Sequence, residues 1–221
     1  MLTALVIPVL VIFAGHHVQT ETKLDLYSDD EKVGYGTYKE TVGHKGQRTS
    51  EFRMWSKPDA DTKISVHQLK VIDAQGFPIR EEEAVVEIDG KKRKDYSITV
   101  NYDSAGRAHV VVQKDKTKSK EQIFLPIPGL SKADASDLWF TKTNPLPGTT
   151  VSSTLFDIEN LVWRRVQTTY DGKRWISVGG RQVEANQIRD VRDGTARIVY
   201  LDDRGQPLLM KKGPNRTEKH F

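Results

Sequence analysis

Short turn signals recur along most of this chain and separate runs rich in valine, isoleucine, threonine and tyrosine. The turn signals are Asp89-Gly90, Asp103 to Gly106, Asp171-Gly172, Asp193-Gly194 and Asp203 to Gly205. Asp and Gly tolerate the left-handed backbone of tight hairpins, and β-branched runs fit a pleated, half-buried surface. This rhythm predicts an antiparallel β protein, and it indicates an architecture rather than a reaction.

The pattern predicts strands in both halves of the chain. In the first half they are Lys23–Tyr27, Lys32–Val42, Arg48–Lys57, Thr62–Asp73, Pro78–Asp89, Arg93–Tyr102 and His109–Lys114. After Thr149 they are a strand through Phe156, then Leu161–Tyr170, Trp175–Val178, Val183–Val191, Ala196–Leu201 and Pro207–Lys211. Gly34 and Gly36 indicate a bulge or a close approach of another backbone. The basic tail Gly213–Phe221 is expected to fray.

Roughly a dozen hairpin-connected strands are too many for a flat sheet. We therefore expect a mainly β fold, with one large antiparallel sheet curled into a half-barrel or a barrel-like shape. An insertion at about 124–148 interrupts the strands, because Pro126 and Pro128 exclude a central strand and Ser131 can cap a short helix over Lys132–Phe140. The sequence thus predicts a single β domain over residues 16–221, with this helix and Pro-rich segment as a cap.

Residues 1–15 have the pattern of a secretory signal peptide. The apolar stretch Leu2–Ala14 is shorter than the roughly 20 residues that cross a bilayer as a helix, and Ala14-Gly15 offers a cleavage site before His16. A basic n-region is missing, so a buried first strand stays open as the alternative. The leader predicts a periplasmic or secreted location, and no integral membrane span is expected.

Segments near the two ends of the chain carry a family resemblance. They are Gly179–Asn186 (GGRQVEAN), Ile198–Pro207 (IVYLDDRGQP) and Lys32–Tyr35 (KVGY). These segments resemble exported bacterial β domains of unassigned function, some of which precede a transglutaminase-like catalytic core. Such a core needs a nucleophilic cysteine, and this chain has no cysteine. The resemblance therefore implies an exported β module that binds or assembles, and it does not carry a catalytic role.

No motif in the sequence specifies a catalytic or metal site. Ser65, His67 and Asp73 could serve a hydrolase, but no Gly-x-Ser-x-Gly elbow accompanies them. Glu81–Glu83 alternate between strand faces, and a solvated sheet edge is the simpler role for such like charges. The side chains of His16-His17 would point to opposite sides of an extended chain. We therefore predict neither a metal nor a cofactor.

Two features are predicted binding sites. Four residues of the cap could cover the concave face of the sheet and contact an apolar or amphipathic ligand: Leu130, Leu138, Trp139 and Phe140. The competing interpretation places Trp139 in the core, as it does Trp55, Trp163 and Trp175. A basic run is the candidate contact for an anionic partner: Lys91, Lys92, Arg93 and Lys94. Aromatic residues do not alternate with these lysines, so nucleic acid is not expected as a partner.

Three functional hypotheses follow from these observations. The first is an exported, non-enzymatic β protein of the bacterial envelope that binds an apolar or amphipathic ligand or a protein partner. The second is a structural or accessory domain that docks on an envelope protein or on anionic lipid. The third is a hydrolase whose site is assembled from distant Asp, Glu and His side chains.

Overall fold

The computed structural model describes residues 20–43, 46–115, 117–126, 144–192, 194–203 and 205–221. These residues form fifteen strands: β1 Thr20–Ser28, β2 Glu31–Val42, β3 Arg48–Ser56, β4 Thr62–Ile72, β5 Pro78–Asp89, β6 Lys92–Tyr102, β7 Ala108–Lys114, β8 Thr117–Lys118, β9 Gln122–Phe124, β10 Thr150–Asp157, β11 Val162–Val178, β12 Arg181–Arg192, β13 Thr195–Leu201, β14 Pro207–Lys212 and β15 Asn215–Lys219. The described residues include no α-helix, and hence none that could cross a bilayer. The predicted leader at residues 1–15 and the predicted helix Lys132–Phe140 lie outside the described residues.

All fifteen strands belong to one antiparallel sheet, as the hairpin signals predict. The strand order is β10-β11-β12-β13-β14-β15-β1-β2-β3-β4-β5-β6-β7-β8, and β9 pairs with β7. Most strands pair with their neighbours along the chain, because hairpins connect them. The two halves of the sheet join where β15 pairs with β1, with Thr217 opposite Leu26.

The sheet curls so that its two ends meet through side chains. Phe156 of β10 packs against core residues of β6 and β7, namely Ile98, Val100, Ala108 and Val110. Its ring centroid lies 5.3 Å from that of Phe124 and 5.4 Å from that of Trp163. The Trp163 indole N–H donates to the Phe124 carbonyl at 3.3 Å. Since no backbone ladder joins β10 to β7, β8 or β9 in the described chain, the sheet is barrel-like in its curl without being closed.

An apolar cluster covers the inner face of β1 to β5. Its members are Leu24, Leu26, Tyr38, Phe52, Met54, Ile64, Val66 and Val85. They recur at alternate positions because successive side chains of a strand point to opposite faces. Each such side chain contributes about 1.5–3 kcal/mol when it leaves water, so this face holds the curl together.

Two local predictions are wrong, and each has a physical reason. Asp171-Gly172 does not separate strands, because it lies within the 17-residue strand β11. The pairing of β11 with β12 shifts register between Tyr170 and Gly172. Gly172 has a φ of +92°, which a bulge uses as readily as a turn. The tail Gly213–Phe221 contains β15, held between β14 and β1. The tail is polar in sequence, but Thr217 is fully buried on its inner side.

The close backbone approach predicted at Gly34 and Gly36 is confirmed. A Cβ at Gly34 would overlap the Trp55 carbonyl oxygen, and one at Gly36 would lie 2.7 Å from the Arg53 carbonyl oxygen. Both carbonyls belong to β3, whose ladder with β2 restrains them. We therefore expect Gly34→Ala to lower the free energy of unfolding by about 2–3 kcal/mol, measured by urea denaturation. Gly43→Ala is the control, because the nearest atom to its Cβ is 3.6 Å away; an equal loss there would contradict the explanation.

Candidate binding surface

Glu40 of β2 is buried on the inner face, beside Tyr38 and Arg48. The Tyr38 hydroxyl donates to one oxygen of the Glu40 carboxyl at 3.2 Å, and the Arg48 guanidinium lies 3.4 Å from the other oxygen. Burial raises the pKa of Glu40 to about 8, because the long contact with Arg48 only partly offsets the loss of hydration. The carboxyl is therefore mostly protonated at neutral pH.

Glu83 of β5 shows that the solvated-edge hypothesis for Glu81–Glu83 is wrong. Its side chain is 1% exposed, in a strand that is paired on both sides. The Gln68 amide donates to the Glu83 carboxyl at 2.8 Å, and the Tyr96 hydroxyl donates to it at 3.0 Å. Desolvation raises the pKa of Glu83. A period-two pattern shows which residues share a face, but it does not show which face lies inside.

A third buried acidic group belongs to the other half of the sheet. Asp190 of β12 and Arg197 of β13 are cross-strand partners, and both are buried. The Arg197 guanidinium contacts one Asp190 oxygen, and the Thr168 hydroxyl donates to the other at 2.8 Å. The three buried acids thus lie in separate groups of strands, and each is bonded within its own group.

The hydrolase candidates His67 and Asp73 bond to different groups. The Asp73 carboxylate accepts from the backbone N–H groups of Gln75 and Phe77 at 2.9 Å. The ring Nε2 of His67 lies 2.8 Å from the Glu51 carboxylate on the outer face, in a half-exposed cluster that includes Arg53. No group of three or more His, Cys, Asp or Glu side chains within the described ranges could hold a metal ion.

The predicted basic site is the tip of the β5–β6 hairpin. All of Lys91, Lys92, Arg93 and Lys94 are exposed. Arg93 Nε lies 2.9 Å from Asp95, and Lys94 Nζ lies 2.7 Å from Glu87, so two of the four charges have an acidic partner. The predicted ligand contacts of the cap, Leu130, Leu138, Trp139 and Phe140, lie outside the described residues.

Two exposed aromatic side chains stand together on the outer face of the sheet. Tyr35 of β2 and Trp55 of β3 are directly opposite each other, with ring centroids 5.3 Å apart and planes 24° apart. Tyr35 is 57% exposed and Trp55 is 37% exposed. The core assignment of Trp55 is therefore wrong. Phe52 and Met54 are the buried residues of β3, so Trp55 must point outward.

The other two strand tryptophans divide between the two interpretations. Trp163 packs on the cluster where the sheet ends meet, in agreement with a core role. Trp175 is 71% exposed on the β11–β12 hairpin, where it lies opposite Glu184, so its core assignment is wrong. One sequence signal could have distinguished the two outward tryptophans from the inward one. It is whether each tryptophan is an even or an odd number of residues away from the buried residues of its own strand.

Exposed lysines flank the aromatic pair. Lys57 follows β3 two residues after Trp55, and its backbone N–H donates to the Val33 carbonyl at 2.7 Å. Lys63 of β4 lies on the outer face beside Ser65, which is the cross-strand neighbour of Trp55. Both lysines are exposed.

The acids on this face are more covered than the cations that they contact. Asp25 is 15% exposed, whereas its partner Lys32 is 49% exposed. Glu51 is 23% exposed, whereas its partner Arg53 is 53% exposed. In both pairs the cation is therefore more exposed to solvent than the acid. We call Tyr35, Trp55, Lys32, Arg53, Lys57 and Lys63 the aromatic–basic surface.

The aromatic–basic surface is continuous with the predicted basic hairpin. Lys63 lies opposite Ile88, and Ile88 lies opposite Arg93, so the three residues share the outer face across β4, β5 and β6. Register, and not proximity in sequence, brings the hairpin and the aromatic pair together.

Comparison with known proteins places the fold in a known class. No family model and no curated protein matches the chain. The chain is similar to a solved structure described as a β-barrel-like protein of domain of unknown function DUF1849 from Brucella abortus. The identity is 14%, the TM-score is 0.58, and the match covers 93% of this chain and 96% of that one. At this identity the likeness shows a shared β-barrel-like fold.

Proposed function

We propose that this chain is an exported, non-enzymatic β protein of the bacterial envelope that binds an amphipathic ligand or a protein partner on its outer face. The observation that carries the proposal is the stacked, exposed pair of Tyr35 and Trp55. Scattered exposed hydrophobic residues are ordinary on protein surfaces. Two large aromatic side chains that stack in the open, with cations around them, form an amphipathic site.

Tyr and Trp are suited to such a site for a physical reason. Each ring offers a large apolar area, while the hydroxyl or the indole N–H remains able to bond to water or to a partner. These residue types accordingly contribute most of the binding energy at many interfaces. The buried acids Glu40, Glu83 and Asp190 all have bonding partners inside the sheet, which favours a binding role over a catalytic one.

The leader pattern at residues 1–15 supports export, and a periplasmic or secreted location is part of the proposal. The absence of cysteine is compatible with an oxidising compartment, because no thiol is present to pair wrongly. Contact of an apolar ligand with Leu130, Leu138, Trp139 and Phe140 stays a prediction.

Titration of the protein with dodecylphosphocholine micelles tests the proposed site. We expect amide chemical-shift changes to concentrate on the outer face of β2 and β3, and Tyr35→Ser/Trp55→Ser to weaken binding by about tenfold or more, since aromatic anchors usually exceed 1 kcal/mol each. Trp175→Ser is the matched control, because Trp175 is an exposed tryptophan on another part of the sheet. Equal weakening by Trp175→Ser, or shifts spread over the whole surface, would contradict the proposal.

A further inference from the structure

We infer that the aromatic–basic surface docks on an anionic lipid bilayer. The inference rests on the proposed function, because it names the partner of that same site. Two independent features point to this partner, namely the orientation of the aromatic pair and the charge of the surrounding side chains.

The aromatic pair has the orientation of an interfacial anchor. Side chains stand roughly perpendicular to a sheet, and the rings of Tyr35 and Trp55 stack against each other with planes 24° apart. One face of each ring is thus covered by the other ring. Tyr and Trp are enriched at membrane–water interfaces, where such amphipathic rings sit among the head groups.

The charge around the pair complements an anionic membrane. Lys57 and Lys63 are exposed beside the aromatic pair, and the cationic ends of Lys32 and Arg53 are more exposed than the acids they contact. Each lysine near an anionic membrane surface contributes about fivefold in affinity, within a Debye length of about 8–10 Å. Several cations near the aromatic pair therefore together raise the affinity for an anionic membrane.

The β5–β6 hairpin extends this cationic area. Arg93 shares the outer face with Lys63 through Ile88, and Lys91 and Lys92 are exposed at the hairpin tip. A membrane that contacts Trp55 can therefore also approach the hairpin. The aromatic residues supply the apolar contact, and the two lysine-bearing segments supply the electrostatic attraction. A bilayer is large enough to contact the aromatic pair and the hairpin at the same time, whereas a small ligand is not.

Sedimentation with phospholipid vesicles tests the inference, using the full chain in every variant so that any contribution of residues 1–15 is common to all. We expect binding to phosphatidylglycerol-containing vesicles, little binding to pure phosphatidylcholine vesicles, and a decrease at high salt. Lys57→Glu/Lys63→Glu should weaken binding by on the order of 30-fold or more, because two attractive charges become repulsive. Tyr35→Ser/Trp55→Ser should also weaken it by about tenfold.

The matched control is Lys118→Glu/Lys120→Glu, which makes the same change of net charge at exposed lysines near β8. Equal loss in this control would show that net charge alone drives binding, and it would overturn the inference. Equal binding to both vesicle types would overturn it as well. A third result would also overturn the inference. If heparin competes with vesicles equally well for the unmodified protein and for Tyr35→Ser/Trp55→Ser, the partner is a polyanion rather than a bilayer.

The failure of this inference is distinguishable from failure of the proposed function. Micelle binding that depends on Tyr35 and Trp55, together with vesicle binding that ignores lipid charge, would leave the proposed site intact and exclude the anionic bilayer. Loss of both kinds of binding would remove the site itself.

Discussion

The protein should lose stability as the pH rises from about 4.5 to about 8, and Glu40→Gln should remove much of that loss. The ordinary pKa of this carboxyl is 4.5, and burial raises the folded-state pKa of Glu40 to about 8. Between these values the unfolded chain has released a proton that the folded chain retains, so each increase in pH favours unfolding. The slope is about 1.4 kcal/mol per pH unit between the two pKa values and smaller near each of them, where one state is only half titrated. The loss between these two pH values is therefore about 4 kcal/mol.

Urea denaturation across this pH range measures the effect. The stabilising contribution is fully present below the unfolded-state pKa and is lost as the pH passes the folded-state pKa. Glu83→Gln should remove a further part of the decline, because desolvation raises the pKa of Glu83 too. Glu82→Gln, on the opposite face of β5, should leave the decline in place. A Glu40→Gln curve parallel to that of the unmodified protein would show that the buried carboxyl does not retain its proton.

The strands could be predicted from sequence because hairpin chemistry is local. The predicted strand Pro78–Asp89 coincides with β5, since a proline begins it and Asp89-Gly90 supplies the turn that ends it. Where prediction failed, the same local signal had two physical uses. Asp171-Gly172 provides a positive φ, and that φ serves a bulge in the middle of β11 rather than a hairpin.

The direction of each strand face could not be predicted with the same success. The sequence predicted that Glu81–Glu83 would be solvated, but Glu83 points inward in the curled sheet, where Gln68 and Tyr96 donate hydrogen bonds to its carboxyl group. Trp55 looked like a core residue, but Met54 occupies the inner position beside it. Which face is inside depends on the strands that lie across the curl, and those contacts are far away in sequence.

In the candidate binding surface, too, features that are local in sequence could be predicted and features that depend on strand register could not. The basic residues Lys91–Lys94 were recognisable from sequence because they are consecutive. Their connection with Trp55 was not, because it passes through the registers of β3 with β4, β4 with β5 and β5 with β6. Ligand contact was also predicted at Leu130, Leu138, Trp139 and Phe140, and it stays a prediction because these residues lie outside the described ones.

Arg197→Met should destabilise the protein by about 3–5 kcal/mol, since it removes a guanidinium that contacts the buried Asp190 carboxylate. Asp190 and Arg197 are both buried, and the Thr168 hydroxyl also donates to Asp190 at 2.8 Å. Urea denaturation measures the loss. Arg93→Met is the control, because Arg93 and Asp95 form an exposed pair of side chains, and removing it should cost at most about 1 kcal/mol.

The double variant Asp190→Leu/Arg197→Met separates the cost of removing one member of the pair from the value of the whole pair. It should recover most of the stability lost in Arg197→Met, because desolvating two charges costs about as much as their attraction returns. A double variant as unstable as Arg197→Met would contradict this account. If stability recovers, the pair is best explained by register. A slip of one residue between β12 and β13 would turn Arg197 to the outer face and leave Asp190 opposite an outward-facing position, so the buried pair penalises the wrong alignment.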